Sequence, residues 1–325
     1  VDENLQQKND TTFQILEFLI NECTQYKLSS DKIIKVPFTG NSKSYDISYI
    51  SSQYKVLLQK ITTQRSGTGA FDIDEIQPLI NDLLDGNKLK GSSKIKGDLK
   101  TIVFDSIQNS NFNISYSIKS ELGAKATLVN ASQQTNFIYE IRNIDDTIMN
   151  DCNNINTREK LKEKYKLLID NGAEFDFIKI QSDTFRDNLK LIDSNLDEIL
   201  AKILILSYAK NEKKIKELLS FMITDNQSEI YYNKKLKDFA NHSAFGMFPS
   251  VEWNGINDVN GGIIIVTKTG KVYLLDLIYF KSIVDNYLLE NIKLESASTS
   301  KFKYFKVYKE DNKYYFKLNL QIRFK

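Results

Sequence analysis

Apolar residues recur at helical spacing over 11–27, TTFQILEFLINECTQYK, behind an N-cap candidate at Asp10, and predict a first helix. The same spacing predicts helices over 47–64 and 73–85, the latter stopped by Gly86. A loop of Gly, Ser and Lys, GNKLKGSSKIKG at 86–97, leads into the apolar run TIVF at 101–104, which reads as a strand. After a QNSN turn, FNISYSIK at 112–119 places Phe112, Ile114, Tyr116 and Ile118 on one face of a half-buried strand, so the two runs form a hairpin. NFIYEI at 136–141 fits either a third strand or the end of a helix, and 157–240 is mostly helical with one interruption, FDFIKI at 175–180. Strands return in GGIIIVTKTGKVYLLDL, 261–277, a hairpin turning at Lys268 to Gly270. A helix over 279–290 follows, and 302–324 reads as a hairpin turning at Glu310 to Asn312.

The class is therefore α+β or mixed α/β, in three stretches: N-terminal helices and core strands at 1–150, a mainly helical segment at 151–240, and a β-rich part at 241–325. With three prolines in 325 residues there is no evident linker, and the parts are expected to pack closely. No run approaches the roughly 20 apolar residues that span a bilayer, and VDENLQQKND at the start has no signal-peptide apolar core, so a cytoplasmic protein without membrane association is expected. Cys23 and Cys152 cannot build a disulfide framework and read as buried thiols.

A single histidine narrows the chemistry. His242 alone cannot supply paired-His metal sites, and no G-x-S-x-G elbow, phosphate-cradling G-x-x-x-x-G-K-[ST] loop or G-x-G-x-x-G is present. Carboxylates, lysine and a hard metal remain. The formal net charge is only +2, but it is segregated: 88–100 carries five Lys against Asp98, and 301–325 carries eight basic residues against Glu310 and Asp311. One basic face on a nearly neutral protein is the electrostatic footprint of a nucleic-acid binder, although 39 Lys against five Arg also fits genomic base composition and solvated faces.

Asp98 precedes one strand of the predicted hairpin, and Ser117, Ile118 and Lys119 close its partner. Phosphodiester hydrolysis needs a hard cation, an activated water and neutralised charge at phosphorus. An Asp offers an oxygen ligand for Mg²⁺, the backbone carbonyl of Ile118 a second, and a lysine beside the phosphate can orient water and offset charge. The arrangement resembles a degenerate PD-(D/E)xK nuclease core, a sheet flanked by helices, with Ser117 where a second acidic residue usually stands. Candidates for the second carboxylate are Glu121, Asp105 and Glu140.

The run YSIKSELGAKATLVNASQQTNFIYEI, 116–141, resembles the signature of the HpaII family of type II restriction endonucleases. RSGTGAFDIDEI (65–76), KIKGDLKTIVFD (94–105), KLKDFANHSAFGMFP (235–249), WNGINDVNGGIIIV (253–266) and YFKLNLQIRFK (315–325) resemble family segments in order and position. The resemblance implies a Mg²⁺-dependent nuclease that cuts both strands of a short palindrome, CCGG for the namesake, to 5′-phosphate ends. It also implies a methyltransferase acting on the same site without direct contact. Residue by residue it puts Asp98 as metal ligand, Lys119 as catalytic lysine, and Ser117 two positions before it. The resemblance also implies a Gly-Glu-Trp-Ser-Glu helix ahead of the Asp-Glu-Asn-Leu that stands here at 2–5, and in many nucleases of this class a glutamate from such a first helix assists metal binding. The alternative is thus a sequence-specific DNA-binding protein without nuclease activity.

Double-stranded DNA is the expected partner, and a homodimer would match a palindrome by two-fold symmetry. Asn130, Ser132, Gln133, Gln134, Thr135 and Asn136 could read base edges, or could cap a turn. Gln321 and Arg323 are further candidates for DNA contacts, the β-rich part contributing to binding, and Arg65 beside SGTG could serve a phosphate. Lysines of 88–100 and 301–325 read as phosphate contacts, which give affinity without specificity. The alternating aromatics of 304–320 read as core and cross-strand pairs, Trp253 as a packed anchor, and His242 as structural.

Overall fold

The structure, a computed structural model, describes residues 24–28, 31–37, 42–63, 74–75, 77–83, 96–105, 109–120, 126–223, 229–267, 269, 271–296 and 304–325. The chain divides into two compact units, 1–125 with 258–280, and 126–257 with 281–325. It thus leaves the first unit and returns to it, an organisation that consecutive segments do not express.

In the first unit, strands β1 (Thr24–Leu28), β2 (Lys32–Pro37) and β3 (Lys43–Asp46) form an antiparallel sheet in that order. Residues 24–27 were expected at the end of a helix. They pair with β2 instead, Gln25 opposite Val36 and Lys27 opposite Ile34, because ladder pairing overrides a weak helical preference. The rest of that expected helix, 11–23, lies outside the described residues. Helix α1 (Ile47–Thr63) follows β3 directly, and α2 (Gln77–Leu83) is tied to β3 through Asp82, which accepts from Lys43 Nζ at 2.6 Å and Tyr45 Oη at 2.8 Å.

The second sheet of this unit joins the two expected hairpins. Strands β4 (Leu99–Asp105) and β5 (Ser110–Ser120) are antiparallel, as are β9 (Gly262–Val266) and β10 (Val272–Asp276). The sheet order is β10-β9-β5-β4, with β5 parallel to β9 so that Ser117 faces Ile263 and Lys119 faces Ile265. A parallel pair needs a long crossover, and here residues of the second unit supply it. One face of the sheet is apolar: Leu99, Ile264 and Val266 are buried, with Tyr116, Ile118, Val272 and Leu274 against them. Strand alternation then turns Ser117 and Lys119 to the opposite face.

Two glycines open β9. A Cβ on Gly261 would lie 2.5 Å from the Ile114 side chain, and one on Gly262, at φ +146°, would lie 2.1 Å from the Leu275 carbonyl oxygen. Only glycine allows this approach of β9 to its neighbours.

The second unit holds β6 (Thr127–Val129), β7 (Asn136–Arg142), β8 (Glu174–Ile180), β11 (Ile292–Leu294), β12 (Tyr308–Glu310), β13 (Lys313–Asn319) and β14 (Ile322–Phe324). They form an antiparallel sheet β12-β13-β7-β8 and a smaller one, β11-β14-β6. NFIYEI is therefore a strand, not a helix end. Asp311 at φ 48° and Asn312 at φ 61° make the expected turn between β12 and β13, two left-handed residues matched to strand twist. Helices α3 (Asp146–Asn154), α4 (Lys160–Asp170), α5 (Asp183–Ile192), α6 (Leu196–Ala209), α7 (Ile215–Leu219) and α8 (Glu229–Phe245) bear out the helical middle. Helix α9 (Leu277–Asn291) carries the chain from the first unit into the second, with non-helical backbone at Phe280.

Phe137, Tyr139, Phe185 and Phe316 are fully buried in this unit, and the rings of Tyr139 and Phe316 stack at 5.2 Å. The Tyr139 hydroxyl donates to the Ala201 carbonyl of α6 at 2.9 Å, so the one polar atom of a core ring is satisfied. Trp253 is buried, donates Nε1–H to the Ile256 carbonyl at 2.7 Å and packs on His242 at 4.8 Å, whose Nδ1 meets Asn257 Oδ1 at 3.0 Å. Cys152 is buried, which pushes its thiol up to about 11. No helix among the described residues is long and apolar enough to cross a membrane.

A buried polar hub fastens β13 to β7. Asn319 Nδ2 donates to the Ser132 carbonyl at 2.6 Å and to Asn136 Oδ1 at 2.8 Å, and Asn136 Nδ2 donates to Gln181 Oε1 at 3.0 Å. Asn319→Ala would orphan buried acceptors and is expected to lower stability by roughly 2–3 kcal/mol in urea unfolding. Gly262→Ala is expected to cost more than Gly172→Ala. Both glycines have positive φ, but a Cβ at Gly172 meets nothing within 4 Å and should cost only about 1–2 kcal/mol. Equal unfolding midpoints for the two glycine variants would contradict the close approach at β9.

Candidate active site

The opening of β4 is held against β5 by bonds that converge on Asp98. Asp98 N–H donates to the Tyr116 carbonyl at 2.8 Å. The Asp98 Oδ2 atom accepts from the Ile118 backbone N–H at 2.7 Å and lies 3.2 Å from Ser117 Oγ, which donates to it. A charge-assisted bond of the first kind contributes on the order of 1.5–3 kcal/mol and fixes one carboxylate oxygen. Ser117 is fully buried and Asp98 is exposed, so the carboxylate is gripped from beneath and open above. Gly97 makes the approach possible, since a Cβ there would sit 2.0 Å from Ser115 Oγ.

Lys119 is half-buried on the same face of β5 as Ser117. Burial pushes its ammonium pKa down, and the Asp98 carboxylate opposes that shift. Lys96 stands in the same electrostatic neighbourhood. Burial and then the nearby Lys119 charge take it down to about 8, against the pull of Asp98 and Asp258. The Lys96 backbone N–H donates to Asp258 Oδ2 at 3.2 Å. The segment after Asp258 is anchored in turn: Asn260 Oδ1 accepts from Ser115 N–H at 2.8 Å, Asn260 Nδ2 donates to the Asn113 carbonyl at 3.0 Å, and Gly261 N–H donates to the Ser115 carbonyl at 2.8 Å.

The structure thus brings Asp98, Ser117, Ile118 and Lys119 together, as the sequence spacing expected. Of the proposed second carboxylates, Glu121 lies outside the described residues. Asp105 ends β4, opposite Ser110, about 20 Å along the strand from Asp98. Glu140 belongs to the second unit, on β7, where it accepts from Lys313 at 3.0 Å. Lys96 and Asp258 were not singled out individually. Lys96 was one of several in a basic run, and no local spacing rule links residue 258 to residue 98.

Among the proposed DNA contacts, Asn130 and Gln133 are exposed and Ser132 and Gln134 half-buried. Thr135 and Asn136 are buried, with side chains engaged inside the unit, so they hold the turn rather than face outward. Gln321 is buried, and Arg323 is half-buried and pairs with Glu295. Arg65 lies outside the described residues.

Among the described residues no three His, Cys, Asp or Glu side chains converge as a metal cage. Mg²⁺ does not require one, since it is commonly held by one or two carboxylates while waters and substrate phosphate fill its shell. Asp98 fits that donor set, with one oxygen committed to the fold and an exposed carboxylate. Alternate residues of a strand turn their backbone groups to the same neighbour, so Ile118, whose N–H reaches Asp98, directs its carbonyl to that edge as well.

No solved structure matches the chain. It is 34% identical over 296 residues to the type II restriction enzyme HpaII of Haemophilus parainfluenzae, covering 88% of this chain and 81% of that protein. The profile of the HpaII restriction endonuclease family matches residues 1–324. A match over that span, with the family's motifs in order, shows that the chain belongs to the HpaII restriction endonuclease family.

Proposed function

We propose that this chain hydrolyses duplex DNA at a short palindrome, with CCGG the first site to test, using Mg²⁺ and leaving 5′-phosphate ends. The observation that carries the reading is the Asp98 carboxylate locked to Ile118 N–H, beside Lys119 on the same sheet. In the reaction a water oxygen bonds to phosphorus and the P–O3′ bond breaks. The departing O3′ takes up a proton to give a 3′-hydroxyl opposite a 5′-phosphate. Asp98 and the Ile118 carbonyl would hold Mg²⁺, which supplies Lewis-acid polarisation of the phosphate and a more acidic water when bound. Lys119 orients the attacking water and offsets charge on the phosphate, and its half-buried setting strengthens that field relative to a solvated lysine. Ser117 keeps Asp98 in place and contributes no charge.

On this reading two copies act as a homodimer on the two strands, and exposed Asn130 and Gln133 are the foremost base-reading candidates of the polar run. The substrate places the enzyme in the cytoplasm, alongside a methyltransferase that protects the same site without touching it.

Incubation of unmethylated phage DNA with the protein, in Mg²⁺ and in EDTA, followed by sequencing of fragment ends, tests the whole reading. Discrete ends only with Mg²⁺ are expected. Uncut but specifically bound DNA would leave a binding protein without chemistry. Lys119→Ala and Asp98→Asn should each lower the single-turnover cleavage rate at least about 100-fold. Lys119→Ala should change specific binding only a few-fold, and a cleavage rate near that of the parent would remove Lys119 from the centre.

A further inference from the structure

We propose that the second unit carries a nucleotide site: a cavity that takes a nucleobase among leucine side chains and tyrosine hydroxyls, with the attached phosphate at a rim of Arg158, Lys162 and Lys213. The inference goes beyond the nuclease reading and stands or falls separately from it, because Asp98 and Lys119 belong to the other unit.

The cavity has a volume of about 380 Å³, within the range of small-molecule sites. Leu161 and Lys162 reach it from α4, Leu204 and Tyr208 from α6, and Leu294 from the end of β11. Leu204, Leu294 and Tyr304 are buried and form its interior. The Tyr208 and Tyr304 hydroxyls bond to each other there. One shared proton leaves that pair a second proton and further lone pairs, so it can both donate to a ligand and accept from one. Ser207 gives its proton to the Leu204 carbonyl at 2.7 Å and keeps its lone pairs. Asn319 also lines the cavity, but its amide is committed to the hub.

Arg158, Lys162 and Lys213 are exposed at the rim, and none of their side chains has a hydrogen-bond or ion-pair partner among the described residues. Lys213 is nonetheless fixed at its backbone. Asn211, at φ 50°, turns the chain at the end of α6, Lys213 N–H donates to the Glu212 carboxylate at 2.7 Å, and the Lys213 carbonyl accepts from Leu294 N–H at 2.7 Å. Of the two carboxylates at the cavity, Glu295 is paired with Arg323, which leaves three cations against Glu159. Unpaired like charges around one opening favour an anion. A phosphate alone would occupy only the rim. The leucine side chains suit the faces of a planar ring and the hydroxyls suit its polar edge, the combination that holds a base outside the stack. In a chain of a restriction endonuclease family, the ligand that joins such a ring to a phosphate is a nucleotide, either free or turned out of a duplex.

The test uses the whole chain in EDTA, so that binding is read without cleavage. Titration calorimetry compares the four deoxynucleoside monophosphates with deoxyribose 5-phosphate and inorganic phosphate. A second arm uses duplexes with 2-aminopurine placed in turn at each position of the CCGG test site and its flanks, since its fluorescence rises when it leaves the stack. Saturable binding of mononucleotides is expected, about tenfold or more tighter than that of deoxyribose 5-phosphate, which lacks the base. Ser207→Phe, whose ring fills the cavity, should abolish it, and Arg158→Gln combined with Lys162→Gln should weaken it about tenfold or more. A fluorescence rise that Ser207→Phe abolishes, without binding of free mononucleotides, assigns the ligand to the duplex and supports the site equally. Absence of both signals in the parent overturns the proposal, as does their persistence in Ser207→Phe. Binding of deoxyribose 5-phosphate and inorganic phosphate as tightly as mononucleotides also overturns it, because the rim would then hold an anion and the cavity no base. If Ser207→Phe does not fold, equal affinity of the rim variant and the parent for the mononucleotides or the responding duplex overturns it. Cleavage is read in separate reactions with Mg²⁺, and failure to cut refutes the nuclease reading without altering any of these outcomes.

Discussion

Strand β5 is hydrogen-bonded along both edges, antiparallel to β4 and parallel to β9, and the placement of Asp98, Ser117 and Lys119 hangs on that double pairing. Pairing with β4 delivers Asp98 to the backbone of Ile118. Pairing with β9 buries the apolar side of the strand and leaves Ser117 and Lys119 to the other. A strand free on one edge would let either partner slip, and a slip of one residue would turn Lys119 into the core. The glycines at 97, 261 and 262 belong to the same constraint, since each stands where backbone or side chain of a neighbour leaves no room for a Cβ.

What was legible in the sequence follows from the range over which its signals act. Alternation at 112–119 and the turn at Asp311 and Asn312 are short-range patterns, and they gave the hairpins β4–β5 and β12–β13. Asp98 and Lys119 were legible because one hairpin carries both. The parallel pairing of β5 with β9 has no local signature, so Asp258 could not be connected to Asp98 from spacing. Polarity also misleads. Thr135 and Asn136 sit in a run that resembles a reading surface, but the Thr135 hydroxyl and the Asn136 amide are used to satisfy Asn319 in the interior. Residues 24–28 show the converse, where an apolar repeat of helical spacing ends in a strand because a neighbouring strand is available to pair with it.

The two units solve the problem of buried polarity differently. In the second, the amide hub at Asn136 and Asn319 is neutral and its amides are paired with each other and with Gln181, which suits a rigid joint between strands. In the first, charged groups are brought together instead, Asp98 exposed and Lys96 and Lys119 half-buried.

The order in which the chain is made gives the discontinuous first unit a temporal meaning. Asp98 and Lys119 leave the ribosome together, but Asn260, which anchors β5, lies 145 residues after its partner Ser115. At roughly 5–20 residues per second of synthesis, that gap is on the order of ten seconds. Throughout it a nascent chain has its Asp and Lys hairpin but neither β9 nor Asp258, the acceptor for Lys96 N–H. A chain broken off in the helical middle never acquires them. In a member of a restriction endonuclease family, the sheet that joins Asp98 to Lys119 is completed only once synthesis has passed β10.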